Sequence, residues 1–219
     1  MFSGFDFNVL VTNWPFLWNG LLLTFQLTLF AVGGGIALGL ILAVARLSGI
    51  KPLAWFVAAY VNFLRSMPLI LVIFWFYTLV PKLTGYPVSG FYSVLIAFIM
   101  FEAAYYSEII RAGISSVKRG QISAALALGL TNLQAMRYVI LPQAIRNMIP
   151  VLLTQSIVML QDTSLVYVVG LRDFLTSAEI VAGRDNRPTE LYLFVAFVFL
   201  VLCFSGSRLV NRMRRRYAL

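Results

Sequence analysis

The chain has 219 residues, of which 61% are hydrophobic and 11% charged, and its formal net charge at pH 7 is +9. This composition excludes a soluble globular domain and indicates an all-α, polytopic membrane protein. The chain has no histidine and one cysteine, Cys203, inside an apolar run, so neither a disulfide framework nor a Cys/His metal site is expected.

The chain begins with an aromatic, amphipathic lead, residues 1–18, which we expect on the periplasmic side. Its Trp14 and Trp18 are typical of side chains at a membrane–water interface. An apolar run follows over about residues 21–45, long enough to cross a bilayer, which needs ~20 residues. Small residues recur every four positions in that run, at Ala31, Gly35, Gly39 and Ala43. This face predicts close packing of a second helix.

Four further spans are predicted, which gives five transmembrane helices. The second, residues 53–80, is longer than a ~30 Å core requires at ~1.5 Å per residue, so we expect a bend near Arg65 to Pro68. A turn with Pro81, Gly85 and Pro87 follows it. The remaining spans are predicted at about residues 91–110, 139–160 and 191–207.

Basic residues concentrate in three connections: the loop Arg46–Lys51, the segment Arg111–Arg146 and the tail from Arg208. All three lie on one side of a five-span arrangement. The positive-inside rule therefore predicts an outside N-terminus and a cytoplasmic C-terminus. Topology explains the positive net charge, and a nucleic-acid partner is not expected.

The connection between the third and fourth spans, Gly120 to Pro142, is itself helix-forming. Residues 124–128 are strong helix formers, and Gly129 is placed to end a short helix in the left-handed conformation. Pro142 is expected near the start of the next span, where a missing N–H costs least. A short helix at a basic membrane face suits docking to a soluble partner.

The spacing in this connection resembles the EAA motif of ABC-importer permeases, in which a short helix couples to the ATPase subunit. The motif departs from the family at Ser123, where Glu is usual, and at Val139, where Ile is usual. The resemblance implies a coupling helix over about residues 120–131. It implies an ATPase-coupling role for Ser123, Ala124, Ala125, Gly129, Leu141 and Pro142.

Other stretches resemble permeases of polar amino acids, including Arg65-Ser-Met-Pro68, Phe101–Arg111 and Gln161-Asp-Thr-Ser-Leu165. The sequences of these stretches are most similar to those of the glutamate/aspartate permeases. The resemblance implies a type I ABC-importer permease domain over residues 19–210, followed by a basic cytoplasmic tail, residues 211–219. A permease for glutamine or basic amino acids is the alternative.

The resemblance also implies the setting: a multi-pass subunit of the cell inner (plasma) membrane that is not itself an enzyme. Its expected partners are an ABC ATPase subunit dimer, a second permease subunit that is a paralogue, a periplasmic amino acid-binding protein and membrane lipid. The sequence has no Gly-x-x-x-x-Gly-Lys-Ser/Thr loop. We therefore expect no cofactor in this chain and ATP–Mg in the partner ATPase.

Charged side chains inside the spans need a reason, because each costs ~2.5–3.5 kcal/mol on insertion scales. Glu108 and Arg111 are spaced i,i+3 and can pair, for which a structural role is favoured. Glu102 has no local partner, so it either pairs with another helix or lines a cavity. Six residues are candidates for the substrate path: Arg65, Glu102, Gln161, Asp162, Thr163 and Ser164.

Two of these candidates have competing roles. Asp162 can bind a substrate amino group or cap the following short helix, and capping is favoured. Arg65 can bind a carboxylate, but its Arg-Ser-x-Pro element resembles one shared by permeases for many amino acids. A structural or coupling role for Arg65 is therefore favoured.

Other function classes fit the sequence less well. A secondary transporter would also have buried acids, but no inverted repeat of broken helices is visible. A membrane-embedded enzyme lacks a histidine base and a Gly-x-Ser-x-Gly elbow. A purely structural membrane subunit remains an alternative, distinguished by whether an ATPase subunit copurifies.

Overall fold

The computed structural model describes residues 6–86 and 88–217, with side chains as far as Arg215. Residues 1–5 of the lead, Pro87 of the predicted turn and residues 218–219 of the tail lie outside the described residues. The described part is almost entirely helical and contains no β-strand, which confirms the all-α class.

The chain enters the bundle through a short helix, α1 (Asn8–Thr12), and a long one, α2 (Trp14–Leu47). The tryptophans of the lead, Trp14 and Trp18, therefore lie in the first turns of the helix that forms the first span. Pro15 also lies in the first turn of α2, where no N–H is required. At ~1.5 Å per residue α2 is ~50 Å long, so it extends beyond a ~30 Å hydrocarbon core or tilts within it.

The second span is broken, as predicted. Helix α3 (Lys51–Arg65) meets the helical stretch Leu69–Thr84 at 106°. Pro68 at the break is extended, with φ −63° and ψ 134°. It also has no N–H with which to continue the hydrogen bonding of α3. Four described helices are long and apolar enough to cross a membrane, or five when the bent pair counts as one span. This agrees with the predicted five spans.

The stretch after the break consists of α4 (Leu69–Phe74), a π-helical turn at Trp75–Leu79 and α5 (Val80–Thr84). Helix α6 (Gly90–Ser115) is the third span, and α7 (Arg119–Ala127) follows it.

Helix α8 (Asn132–Ala135), a second π-helical turn (Met136–Ile140), α9 (Leu141–Asp162) and a 3₁₀ turn (Thr163–Val169) form one continuous helical run. Pro142 lies in the first turn of α9, as predicted, although the continuous helical run begins ten residues earlier, at Asn132. A π-helical turn ends two residues before each of Pro142 and Pro81. The wider turn accommodates a ring that would clash with the preceding turn of a regular α-helix.

The segment between the fourth and fifth predicted spans, which contains side chains of both charges, forms a helix that periodicity does not predict, α10 (Phe174–Asp185). The last span, α11 (Pro188–Tyr217), follows it. Asp173 caps α10: its carboxylate accepts hydrogen bonds from the backbone N–H of Leu175 (3.2 Å) and of Thr176 (3.0 Å). Burial raises the pKa of Asp173, and these hydrogen bonds oppose that increase. The cap fixes where α10 begins.

The predicted small-residue face of α2 is confirmed as a packing surface. Its four members are buried: Ala31, Gly35, Gly39 and Ala43. A Cβ atom added at Gly39 would lie 2.8 Å from the Cβ of Tyr106 and 3.0 Å from the backbone N of Ser107. Helix α6 therefore lies directly against the backbone of α2.

We predict that Gly39→Ala lowers the melting temperature of the detergent-purified protein, because the added methyl group would overlap backbone atoms that cannot move aside. Gly33→Ala is the matched control, since Gly33 is on the same helix and has no heavy atom within 4 Å of its added Cβ. The control should keep or slightly raise stability, as alanine is favoured over glycine by up to ~1 kcal/mol in a helix. Equal melting temperatures for the two variants would contradict the packing.

Candidate functional site

A cavity of about 410 Å³ lies where α3, α6 and α9 meet, at the end of the bundle next to α7. The guanidinium carbon of Arg65 lies 5.3 Å from the ring centroid of Tyr105, over its face. The polar residues lining the cavity are Arg65, Tyr105, Glu108, Ser116, Asn147 and Gln155. It has the size and the mixed lining of a small-molecule site.

Glu108 lines this cavity but is already paired with two arginines. Arg46 Nη1 on α2 donates to its Oε2 at 2.6 Å, and Arg111 Nε on α6 lies 3.1 Å from both carboxylate oxygens. The predicted Glu108–Arg111 pair is thus confirmed. Arg46 adds a link from α2 to α6, between two residues that are 62 positions apart in sequence. Because both carboxylate oxygens are taken up, Glu108 acts as a tie between α2 and α6.

Glu102 is completely buried and pairs with another helix. Its Oε1 accepts a hydrogen bond of 3.0 Å from Gln155 Nε2 on α9, while its Oε2 has no hydrogen-bond partner among the described residues. One turn further along α6, the hydroxyl of Tyr106 lies 3.0 Å from Ser156 Oγ. Glu102 does not line the cavity itself, but it holds Gln155, which does.

The four candidates at the end of α9 lie elsewhere. Gln161 and Ser164 line a second cavity of about 390 Å³ against α10 and α11. Gln161 Nε2 also lies 3.5 Å from Cys203 Sγ on α11. Thr163 is buried and donates to the carbonyl of Leu160. Asp162 is partly buried beside them. The structure therefore does not bring the six predicted path residues into one site.

The favoured capping role of Asp162 is wrong. Its backbone is helical, with φ −67° and ψ −18°, and its side chain makes no capping hydrogen bond. A capping residue normally adopts extended backbone angles. Because the chain passes from α9 into the 3₁₀ turn without a break, no free N–H groups remain for Asp162 to cap.

One exposed face of α9, called its polar face below, carries a polar residue on every second turn, with exposed Val151 and Val158 between them. Asn147, Thr154 and Gln161 are exposed and follow each other at intervals of seven residues, which places them within ~20° per interval on the same side of a helix. Lipid tails offer amides no hydrogen-bond partners. This face is therefore suited to a water-filled path or to another protein chain.

The loop helix α7 ends as predicted. Gly129 has φ +84°, and the backbone N–H of Leu130 bonds to the carbonyl of Ala125 while that of Gly129 bonds to the carbonyl of Leu126. These two bonds form a Schellman motif. Of the other predicted coupling residues, Ser123, Ala124 and Pro142 are exposed, Ala125 is buried and Leu141 is partly buried.

Apolar side chains surround α7 on both of its sides. On the outside, Leu126 of α7 is exposed, and so are three residues that follow the helix: Leu128, Leu133 and Tyr138. Inward, Ile122 packs on a cluster that includes Ile140, Met148 and Ile109. Met148 and Ile109 also line the 410 Å³ cavity. The loop helix and the cavity wall thus share one apolar cluster.

Sequence reasoning did not find Arg46, Asn147 or Gln155. From the sequence, Arg46 is only one of the basic residues that set the topology, since its partner is remote in sequence. The seven-residue spacing of Asn147, Thr154 and Gln161 is a signal that could have identified the polar face of α9.

The fold and these residues define a membrane-embedded transport subunit. The sequence matches the family described as binding-protein-dependent transport system inner membrane component over residues 35–219. The chain belongs to this family. It is a permease subunit in the inner membrane and not an enzyme, and its ABC-importer permease class is confirmed.

Particular relatives are similar over nearly the whole chain. The glutamate/aspartate import permease protein GltK of Escherichia coli O157:H7 is 51% identical over 221 residues, covering 98% of this chain and 99% of that protein. The probable glutamine ABC transporter permease protein GlnM of Bacillus subtilis strain 168 is 36% identical, covering 95% of this chain and 96% of that protein.

Solved structures agree on the architecture. A crystal structure of an amino acid ABC transporter with histidines superimposes with a TM-score of 0.91 at 36% identity, covering 98% of this chain and 100% of that one. An inward-facing MetNI methionine ABC transporter matches with a TM-score of 0.68 at 21% identity, covering 95% of this chain and 99% of that one. The second match supports the fold alone.

Proposed function

We propose that this chain is the permease subunit of an ATP-driven importer of acidic amino acids, glutamate and aspartate. The observation that carries the proposal is 51% identity, along essentially the full length, to a protein named as a glutamate/aspartate import permease. Relatives named for glutamine and arginine are 36% and 29% identical, so a glutamine or basic-amino-acid permease is the second candidate. Because the chain belongs to the family of binding-protein-dependent transport components, the secondary-transporter alternative no longer stands.

The substrate path runs along the polar face of α9. At its α7 end lies the cavity with Arg65, and at the other end lie Gln161 and Ser164. Glu102, Asp162 and Thr163 support the wall of this path. The path is completed by a second permease subunit, since exposed amides cannot face hydrocarbon.

Helix α7 is the coupling element. It lies in the basic segment Arg111–Arg146, on the side that the positive-inside rule places in the cytoplasm. Exposed Leu128 and Leu133 offer an apolar surface to an ATPase subunit that binds ATP–Mg. Movement of α7 reaches the cavity through Ile122 and the apolar cluster that contains Met148. A periplasmic binding protein delivers the substrate on the opposite side.

We predict that Gly129→Asp leaves the importer assembled but uncouples ATP hydrolysis from uptake. A side chain at φ +84° strains the backbone by ~1–2 kcal/mol and disrupts the end of α7. Gly49→Asp is the matched control: Gly49 has φ +77° and no neighbour within 4 Å, but lies in another loop of the same face. Substrate-stimulated ATPase and uptake are measured together in proteoliposomes.

The expected result is that uptake per ATP falls at least several-fold in Gly129→Asp and stays near wild type in Gly49→Asp. Equal coupling in the wild type and both variants would contradict the role of α7. Equal loss in both variants would show that strain in any loop of this face suffices, which also contradicts it.

The substrate assignment predicts uptake of labelled glutamate and aspartate by cells that lack their own systems and express the complete operon. Unlabelled aspartate should compete with glutamate, whereas glutamine and arginine should not. The same operon with Gly129→Asp serves as the uncoupled control. Uptake of glutamine or arginine without glutamate or aspartate would overturn the acidic assignment and leave the permease class intact.

A further inference from the structure

The cavity beside α7 contains a guanidinium that no carboxylate of the described residues binds directly, although the charge of Glu108 acts on it at longer range. Glu108 is the carboxylate in its lining, and Arg46 and Arg111 already bind it. Within residues 6–86 and 88–217, Arg65 forms no salt bridge, and its guanidinium lies over Tyr105. Stacking on a ring occupies the face of a guanidinium and leaves the N–H donors at its edge free. Arg65 is therefore placed to bind a carboxylate in two parallel hydrogen bonds.

The same cavity also offers hydrogen-bond acceptors. Gln155 donates through Nε2 to Glu102 at 3.0 Å, and Asn147 donates through Nδ2 to Ser116 Oγ at 2.9 Å. An amide side chain held by its nitrogen has its carbonyl oxygen left as an acceptor. Neither carbonyl oxygen receives a hydrogen bond from any part of the chain that the structure describes. Both residues line the cavity, so both carbonyl oxygens are available to an ammonium group.

We infer that this cavity binds the zwitterionic head group of a free α-amino acid. Arg65 takes the α-carboxylate, and the carbonyl oxygens of Asn147 and Gln155 take the α-ammonium group. Glu102 is a positioning residue that acts through Gln155. The inference rests on the proposed function and deepens it, because it names the part of the substrate that this subunit recognises.

The head group is common to all amino acids, whereas the side chain distinguishes them. A site for the head group therefore does not select acidic substrates. At about 410 Å³ the cavity lies within the ~300–1,000 Å³ range of small-molecule sites. Selection of the side chain then falls to other parts of the importer.

The test combines ligand analogues that lack one group of the head group with protein variants that lack the residue proposed to bind that group. Equilibrium binding of radiolabelled L-glutamate is measured on the purified importer, permeases with ATPases, without the binding protein. Competitors are L-glutamate, its α-amide isoglutamine, which lacks the α-carboxylate, and glutarate, which lacks the α-ammonium group. On the wild type, both analogues should compete ~10- to 100-fold more weakly than glutamate, as for loss of one charge-assisted contact.

Arg65→Gln should lower the affinity for glutamate ~10- to 100-fold and leave the affinity for isoglutamine nearly unchanged, so that the two ligands bind equally well. Arg65→Lys should retain part of the preference, because a charge remains but the planar fork is lost. Asn147→Leu should reduce the preference for glutamate over glutarate. The preference for glutamate over isoglutamine should remain. Arg212→Gln, on the exposed part of α11, should match the wild type.

Equal weakening of glutamate and isoglutamine in Arg65→Gln would overturn the inference, since it would mean that Arg65 only supports the fold through Tyr105. Unchanged glutamate binding in that variant, or no preference in the wild type, would overturn it as well. If Arg65→Gln does not assemble, an unchanged preference in Arg65→Lys contradicts the inference and a reduced one supports it.

Failure of the substrate assignment gives a different result. If the wild type binds glutamine and not glutamate, the acidic assignment is wrong. The same comparison of glutamine with its α-amide then tests the role of Arg65, and loss of that preference in Arg65→Gln supports the head-group site.

Discussion

Helix α6 is held against both α2 and α9, and the candidate site depends on both contacts. Glycines of α2 allow direct packing: an added Cβ at Gly35 would lie 2.8 Å from the Cβ of Glu102. The residues that lie against these glycines, Glu102 and Tyr106, also bond to α9 through two hydrogen bonds of 3.0 Å each, with Gln155 and with Ser156. Small residues on α2 thus let α6 lie close while its polar side chains find partners on α9. Gln155, fixed by this contact, forms part of the cavity wall.

The cavity and the loop helix are mechanically related through the same ends of α6 and α9. Ile122 of α7 packs on the cluster that contains Ile109 and Met148, two residues of the cavity wall. Because packed interiors transmit displacement, a shift of α7 changes the shape of the cavity. The tie between Arg46 and Glu108 connects this end of α6 to α2. In the proposed mechanism, docking of an ATPase at α7 is thereby linked to access to the cavity.

Much of the architecture could be predicted from the sequence. A lipid environment requires long apolar helices, and the breaks and ends of these helices depend on residues that are close together in sequence. The spans, the break at Pro68, the small-residue face of α2 and the helix end at Gly129 all follow from composition, spacing and backbone preferences. Helix limits were less predictable: the π-helical turn before Pro142 lets the chain remain helical where proline was expected to mark a start. Helix α10 is short and of mixed charge, so its periodicity is weak.

The site was less predictable, because its contacts join residues distant in sequence. Glu108 and Arg111 are three residues apart and their pairing was evident, but Arg46 is 62 residues from Glu108. Gln155 is held in place by its hydrogen bond to Glu102, which is 53 residues away in sequence. Such pairs depend on which helices pack together, and one sequence does not contain that information.

The central claim is that the polar face of α9 lines a water-filled path between the two sides of the membrane. Single cysteines at Asn147, Thr154 and Gln161, in a Cys203→Ser background, test it with a membrane-impermeant thiol reagent on the assembled importer. Asn147→Cys should react from the cytoplasmic side without ATP, and Gln161→Cys from the outside when ATP is bound. Phe197→Cys, on an exposed apolar face of α11, should remain unreactive in both conditions. Path positions as unreactive as Phe197→Cys would contradict the account.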